Sequence, residues 1–110
     1  MHPTVVRDLI DKLEGEINNG GFDQFFFNSA GDRTAQIVDA LEAIGAVHTA
    51  SIVRAAASKF PGGMAPADRA IRQRLLVESV SPESEAFEAE DAAFLEYRES
   101  LGDLVSRYAG

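Results

Sequence analysis

Apolar positions recur along this chain at three- and four-residue intervals, the spacing of one helix face, and the two-residue alternation of a strand is nowhere sustained. Val6, Leu9, Ile10, Leu13 and Ile17 form the first stripe, with Arg7, Asp8, Asp11, Lys12 and Glu14 turned outward. Pro3 suits the first turn of that helix, where the N–H it lacks would have no helical partner. Asn18-Asn19-Gly20-Gly21 ends it, because glycine reaches the positive φ values that reverse a chain. Phe22, Phe25 and Phe26 then share one face of a short second helix, and three large rings on one face make it the hub of a core. Phe27 lies about 100° away. It either packs under a neighbouring helix or joins an apolar contact patch.

Ser29-Ala30-Gly31-Asp32 reads as a junction in which either Ser29 caps the next helix with Asp32 in its first turn, or Asp32 is itself the cap. Ile37, Val38, Leu41 and Ile44 form the next stripe, and Gly45 stops it. Residues 46–60 form a further helix with Val47, Ala50, Val53, Ala57 and Phe60 inward. The turn-rich loop Phe60 to Pro66 follows. Pro66 opens a helix with Ala67, Ile71 and Leu75 inward and Arg69, Arg72 and Arg74 lending it basic character. Ser81-Pro82 caps and starts the last element. There Phe87, Phe94, Leu101 and Tyr108 recur every seven residues, which predicts one long helix, bent near Gly102 or broken between Tyr97 and Ser100. The expected fold is all-α: a single domain over 1–110, a compact bundle of about six helices with a short Phe-rich second helix and a long acidic C-terminal one.

Composition changes this picture mainly through charge. Eighteen acids against ten bases leave a net charge of −8. Residues 1–42 carry eight acids and three bases, residues 43–77 one acid and five bases, and residues 78–110 nine acids and two bases. A surface of this kind repels nucleic acid and anionic membrane and attracts basic partners. The absence of cysteine removes disulfides, thiolate catalysis and cysteine zinc sites. Met1-His2-Pro3-Thr4 has no basic stretch leading into an apolar run, and no apolar run approaches the roughly 20 residues that span a bilayer. A soluble cytoplasmic protein, monomeric or homodimeric, is expected.

Candidate chemistry is sparse. His2 is terminal and expected to be mobile, and His48 has no carboxylate near it in sequence, so neither suggests a metal or catalytic site. No nucleotide-binding glycine motif, zinc-protease motif, nucleophile elbow or calcium loop is present. No cofactor and no catalytic residue is expected. Glu85, Glu88, Glu96, Glu99 and Asp103, with Ala92 filling the gap between Glu88 and Glu96, follow spacings of three and four and would share one face of the last helix, opposite its aromatic face. Their Cβ atoms would lie roughly 5–6 Å apart, a scale comparable with successive phosphates along a DNA strand. Such a row could imitate a phosphate backbone; the plainer reading is a solvated face.

Asn19-Gly20-Gly21-Phe22-x-Gln24-Phe25-Phe26-x-Asn28, the segment Leu41 to Ala46, and Phe60-Pro61-Gly62-Gly63-x-x-Pro66-x-Asp68-Arg69 together resemble a bacterial domain-of-unknown-function family. The C-terminal domain of a DNA-mimic protein is assigned to that family. The resemblance implies an all-helical fold, no catalytic activity and, for that relative, binding to a transcription factor in place of DNA. It also implies that Asn19, Gly20, Gly21, Phe22, Gln24, Phe25, Phe26, Asn28, Pro61, Gly62, Gly63, Asp68 and Arg69 define the fold. The expected function is therefore a non-enzymatic acidic protein-binding module whose partner is a basic surface such as that of a DNA-binding protein. The alternative is a small-ligand or enzymatic site in a polar pocket around Asn19, Gln24, Asn28 and Arg69, beside the aromatic rings.

Overall fold

A computed structural model describes residues 1–110. Six α-helices and no strand make up the domain: α1 (Pro3–Phe27), α2 (Thr34–Ala43), α3 (Val47–Ala57), α4 (Arg69–Leu75), α5 (Glu88–Leu95) and α6 (Leu101–Ala109). Short 3₁₀ turns at Ser29–Arg33 and Pro61–Gly63, and a π-type turn at Leu76–Val80, link them. α1 is the spine. α2, α4, α5 and α6 all pack on it, while α3 joins α2 to α5. Pro3 occupies its first turn as expected, and His2 is not idle: its Nδ1 accepts from the Thr4 N–H and caps the helix.

α1 runs through the glycine pair but changes direction there. Gly20 has φ −155° and Gly21 has φ 71° and ψ −167°, so the Phe-rich stretch is a second arm set at an angle to the first. Phe22, Phe25 and Phe26 are fully buried. Phe26 contacts Phe60 edge-on with ring centroids 5.0 Å apart, and Phe22 meets Phe87 and Phe94 at 6.1 Å. The aromatic hub therefore ties α1 to the segments on either side of α4. Phe27 is 46% exposed, which places it on the surface.

α2 ends in a motif that satisfies its last carbonyls. Ala46 N–H donates to Leu41 O and Gly45 N–H to Glu42 O, with Gly45 at φ 84°. The start of α2 differs from both sequence expectations. Neither Ser29 nor Asp32 caps it; Ser29 opens the 3₁₀ turn, and Asp32 is drawn away to two arginines.

Two apolar stripes need correction. Val47 is the first residue of α3 and is 66% exposed, because the stripe drawn through it is one turn too long. In α4, Ala67 precedes the helix and Ile71 is exposed, whereas Arg72 and Leu76 are buried. The buried face is thus one residue on from the predicted one, a rotation of about 100°. Apolar patterning misses it because the residue facing in is an arginine.

The C-terminal third is not one long helix. Ser81 and Pro82 lie in a turn, where Ser81 Oγ accepts from the Ala86 N–H, and α5 starts only at Glu88. The chain breaks again between Glu96 and Ser100, with Tyr97 in the left-handed region at φ 47°, so of the two alternatives offered by the sequence the break after Tyr97 occurs and the bend at Gly102 does not. Phe87, Phe94 and Leu101 are nonetheless buried and Tyr108 packs on the same core. The seven-residue repeat marks the core positions and not the continuity of the helix.

Candidate functional site

Each glycine of the Asn-Gly-Gly-Phe segment makes room for a particular side chain. A Cβ on Gly20 would lie 2.2 Å from Gln24 Oε1, and one on Gly21 would lie 2.5 Å from Asp91 Oδ2. The Asp91 carboxylate, delivered from α5, accepts from the Phe22 N–H at 2.8 Å. That amide opens the second arm of α1, directly after the two non-helical glycines, and Asp91 caps it from 69 residues away. Burial raises the Asp91 pKa against the opposing effect of this hydrogen bond. Gln24 and Asn28 both donate to Glu16 Oε2 at 2.9 Å, and Asn19 donates to Gln24 Oε1 at 3.0 Å. The three amides and Glu16 thus brace the two arms of the bend.

At the other end of the Phe-rich arm sits Arg72, with no exposed surface. Its Nε donates to Phe26 O at 2.6 Å, and Nη1 to Pro66 O and Ala67 O at 2.9 and 3.3 Å. Nη2 donates to Asn28 O at 2.9 Å and to Asp32 Oδ1 at 2.8 Å. All five guanidinium N–H groups are used, and the charge lies at the C-terminal end of α1, where the helix dipole favours a cation. Gly31 clears the space, since a Cβ there would lie 2.9 Å from Arg72 Nε. Asp32 also receives Nε and Nη2 of Arg69, and these two arginines hold its pKa at about 2. Asp68 caps α4 by accepting from the Ile71 N–H at 3.0 Å. Pro61, Gly62 and Gly63 form the 3₁₀ turn, with Gly62 at φ 86° and Gly63 at φ 85°. Sequence reasoning did not find Arg72 as a buried staple; the one available sign was an arginine four residues before the buried Leu76.

The five acids expected on one helix face are separated. Glu85 lies in the loop before α5, Glu88 is the first residue of α5, Glu96 is its C-cap, Glu99 lies in the break and Asp103 is in α6. Glu99 is engaged within the fold. Its Oε1 accepts from the Thr49 N–H and from Thr49 Oγ1, each at 2.7 Å, and its Oε2 from the His48 N–H at 3.1 Å. It caps α3, whose own N-cap residue, Ala46, has no side chain able to do so. Burial pushes the Glu99 pKa up, but these hydrogen bonds outweigh it and the net shift is downward. His48 thus has a carboxylate beside its backbone that the sequence did not reveal, while its Nε2 is buried without a partner.

Glu85, Glu88 and Asp103 are exposed and form no ion pair, and Glu96 meets only Arg98, at 3.8 Å on the surface. The neighbouring Glu83 is likewise exposed and unpaired. Glu90, by contrast, is spent on Lys59 at 2.8 Å, above the Phe87 ring.

One concavity of about 240 Å³ opens between α1, the Ser29–Arg33 turn, α2 and α4. Leu9, Lys12, Ser29, Ala30, Asp32, Arg33, Ile37 and Arg69 line it. It includes Arg69 but none of Asn19, Gln24 and Asn28, whose side chains brace the bend instead. The polar pocket expected around all four does not form.

Neither a curated protein nor a solved structure matches the chain at a significant level. The family model described as DMP19-like protein matches residues 5–109, from the first stripe of α1 to the last residue of α6. The chain belongs to the DMP19-like protein family.

Proposed function

We propose that this protein is a non-enzymatic acidic protein-binding module that acts as a DNA mimic, offering carboxylates to the basic surface of a DNA-binding protein such as a transcription factor. The observation that carries the proposal is the set of exposed carboxylates from Glu83 to Asp103 that the fold leaves without partners. Exposed carboxylates that no cation of the fold answers leave this part of the surface negative, and such a surface attracts a cationic one. Residues 78–110 contribute a net −7 of the chain's −8. Glu85, Glu88 and Asp103, joined by Glu96, whose one contact is Arg98 at 3.8 Å on the surface, form the proposed surface; Glu99 is removed from it because it caps α3. The match to the DMP19-like family over nearly the whole chain is consistent with this reading. The same reading has the protein act in the bacterial cytoplasm, as a monomer or homodimer, without touching nucleic acid or membrane.

The test uses purified DNA-binding proteins from the native host, each loaded with a fluorescent duplex. The protein should displace duplex from at least one of them, with an affinity that falls steeply as salt rises. A variant with Glu85→Gln, Glu88→Gln, Glu96→Gln and Asp103→Asn should lose about ten-fold or more in displacement while keeping its helical circular-dichroism spectrum. Displacement by the variant equal to that of the parent, or affinity insensitive to salt, rules the acidic surface out.

A further inference from the structure

The concavity between α1, the Ser29–Arg33 turn, α2 and α4 runs against the charge of the molecule around it. Three cations, Lys12, Arg33 and Arg69, stand at its wall against a single acid, Asp32. The Asp32 charge is already answered, since it accepts from both Arg69 and the buried Arg72. We infer that this cleft is a binding site for a compact oxyanion, a small phosphate- or carboxylate-bearing molecule, held by Arg33, Arg69 and Lys12.

The donors there are of two kinds. Some are free: Arg33 makes no ion pair or side-chain hydrogen bond, and neither does the Ser29 hydroxyl. Others are pre-aimed: Arg69 is fixed through Nε and Nη2 on Asp32, at 3.2 and 2.8 Å, which leaves its Nη1 edge unbonded. Asp32 is in turn held by Arg72, which spans the end of α1 and the start of α4. A guanidinium positioned this way loses little freedom on meeting a ligand, and its planar fork matches a carboxylate or phosphate edge. Lys12 is only loosely occupied, by Asp8 at 3.2 Å on the exposed face of α1. Leu9, Ala30 and Ile37 supply a carbon floor. The concavity of about 240 Å³ has room for a small acid. This site lies apart from the acidic C-terminal surface in sequence and in charge, so its success or failure is independent of the DNA-mimic proposal.

The experiment titrates the ¹⁵N-labelled protein separately with inorganic phosphate, glycerol phosphate and succinate, at ionic strength held constant with chloride. Saturable shifts should be confined to the amides of residues 9–12, 29–37 and 69. Arg33→Gln should weaken binding about ten-fold without changing the melting temperature, since Arg33 has no partner in the fold. Arg107→Gln, on α6 outside the cleft, should change nothing. Saturation by the phosphates alone identifies a phosphate ligand, and saturation by succinate alone identifies a carboxylate. Saturation by all three shows that oxyanion charge is sufficient. The proposal fails if no ligand saturates, if chloride alone reproduces the shifts, or if Arg33→Gln binds as tightly as the parent.

Discussion

Where the end of α1 meets the start of α4, all five N–H groups of the buried Arg72 find an oxygen. Along the surface from Glu83 to Asp103, four carboxylates form no ion pair at all. The two regions differ in what their charges are for. In the first, a guanidinium taken out of water must be repaid bond for bond, because a buried unsatisfied donor or carbonyl costs about 1–3 kcal/mol. In the second, water solvates the carboxylates at no comparable cost, so nothing in the fold requires them. Charges that folding requires are poor candidates for partner binding, and charges that folding leaves idle are good ones. Glu99 shows why the distinction matters: by spacing it belongs to the acidic row, by bonding to the scaffold.

The largest test of this contrast is Arg72→Met. It should lower the unfolding free energy by about 3–5 kcal/mol, measured by urea denaturation, because four backbone carbonyls and Asp32 lose their donor. Arg72→Lys should recover little, since an ammonium cannot present five donors in a planar fork. A loss below about 1 kcal/mol would mean that water re-solvates those carbonyls, and that the staple is no more necessary than the idle acids.

Glycine substitutions come next. Gly21→Ala should cost about 2 kcal/mol or more, combining the left-handed backbone penalty with the clash against Asp91. Gly15→Ala and Gly102→Ala should each stabilise by about 0.5–1 kcal/mol, since both are helical and an added Cβ meets nothing within 4 Å. Equal effects at Gly21 and Gly15 would remove the claim that the Asn-Gly-Gly-Phe bend is required by geometry.

A smaller effect separates acids within the C-terminal third. Glu99→Gln should cost about 1 kcal/mol through the weakened cap on α3. Glu85→Gln, Glu88→Gln and Asp103→Asn should each stay within about 0.5 kcal/mol, in the same thermal melts. If Glu88→Gln destabilised as much as Glu99→Gln, the exposed row would have to be counted as scaffold.

The pH dependence sharpens the same division. Asp32 has its folded-state pKa lowered to about 2, against about 3.9 when unfolded. Its contribution is therefore complete above about pH 4 and lost as pH falls toward 2. Asp91 runs the other way. Burial raises its pKa, so the folded state holds that proton more tightly than the unfolded chain does. It disfavours folding as pH rises through its folded-state value. Carboxyl-carbon NMR titrations should find Asp32 as the lower and Asp91 as the higher of the two. Coincident midpoints would show that neither is engaged as described.

By itself the sequence determined the helices and the aromatic core. Val6 to Ile17, Ile37 to Ile44, and the Phe87–Phe94–Leu101–Tyr108 repeat all name residues that pack together, because burying carbon every three or four residues is a local instruction that any helix can obey. The glycine bend was legible too, since few other residues tolerate φ 71°. What only the tertiary structure decided was the use of charge. Nothing local to Glu99, Asp91 or Arg72 announces that their partners lie 50, 69 and 46 residues away. Electrostatic and hydrogen-bond partners are chosen by proximity in space after the helices dock. The rotation of α4 about Arg72 and the idleness of Glu85 and Glu88 were therefore beyond the reach of pattern, whereas the break after Tyr97 was among the alternatives it offered. The sequence stated how many acids there are; docking decided which of them remain free.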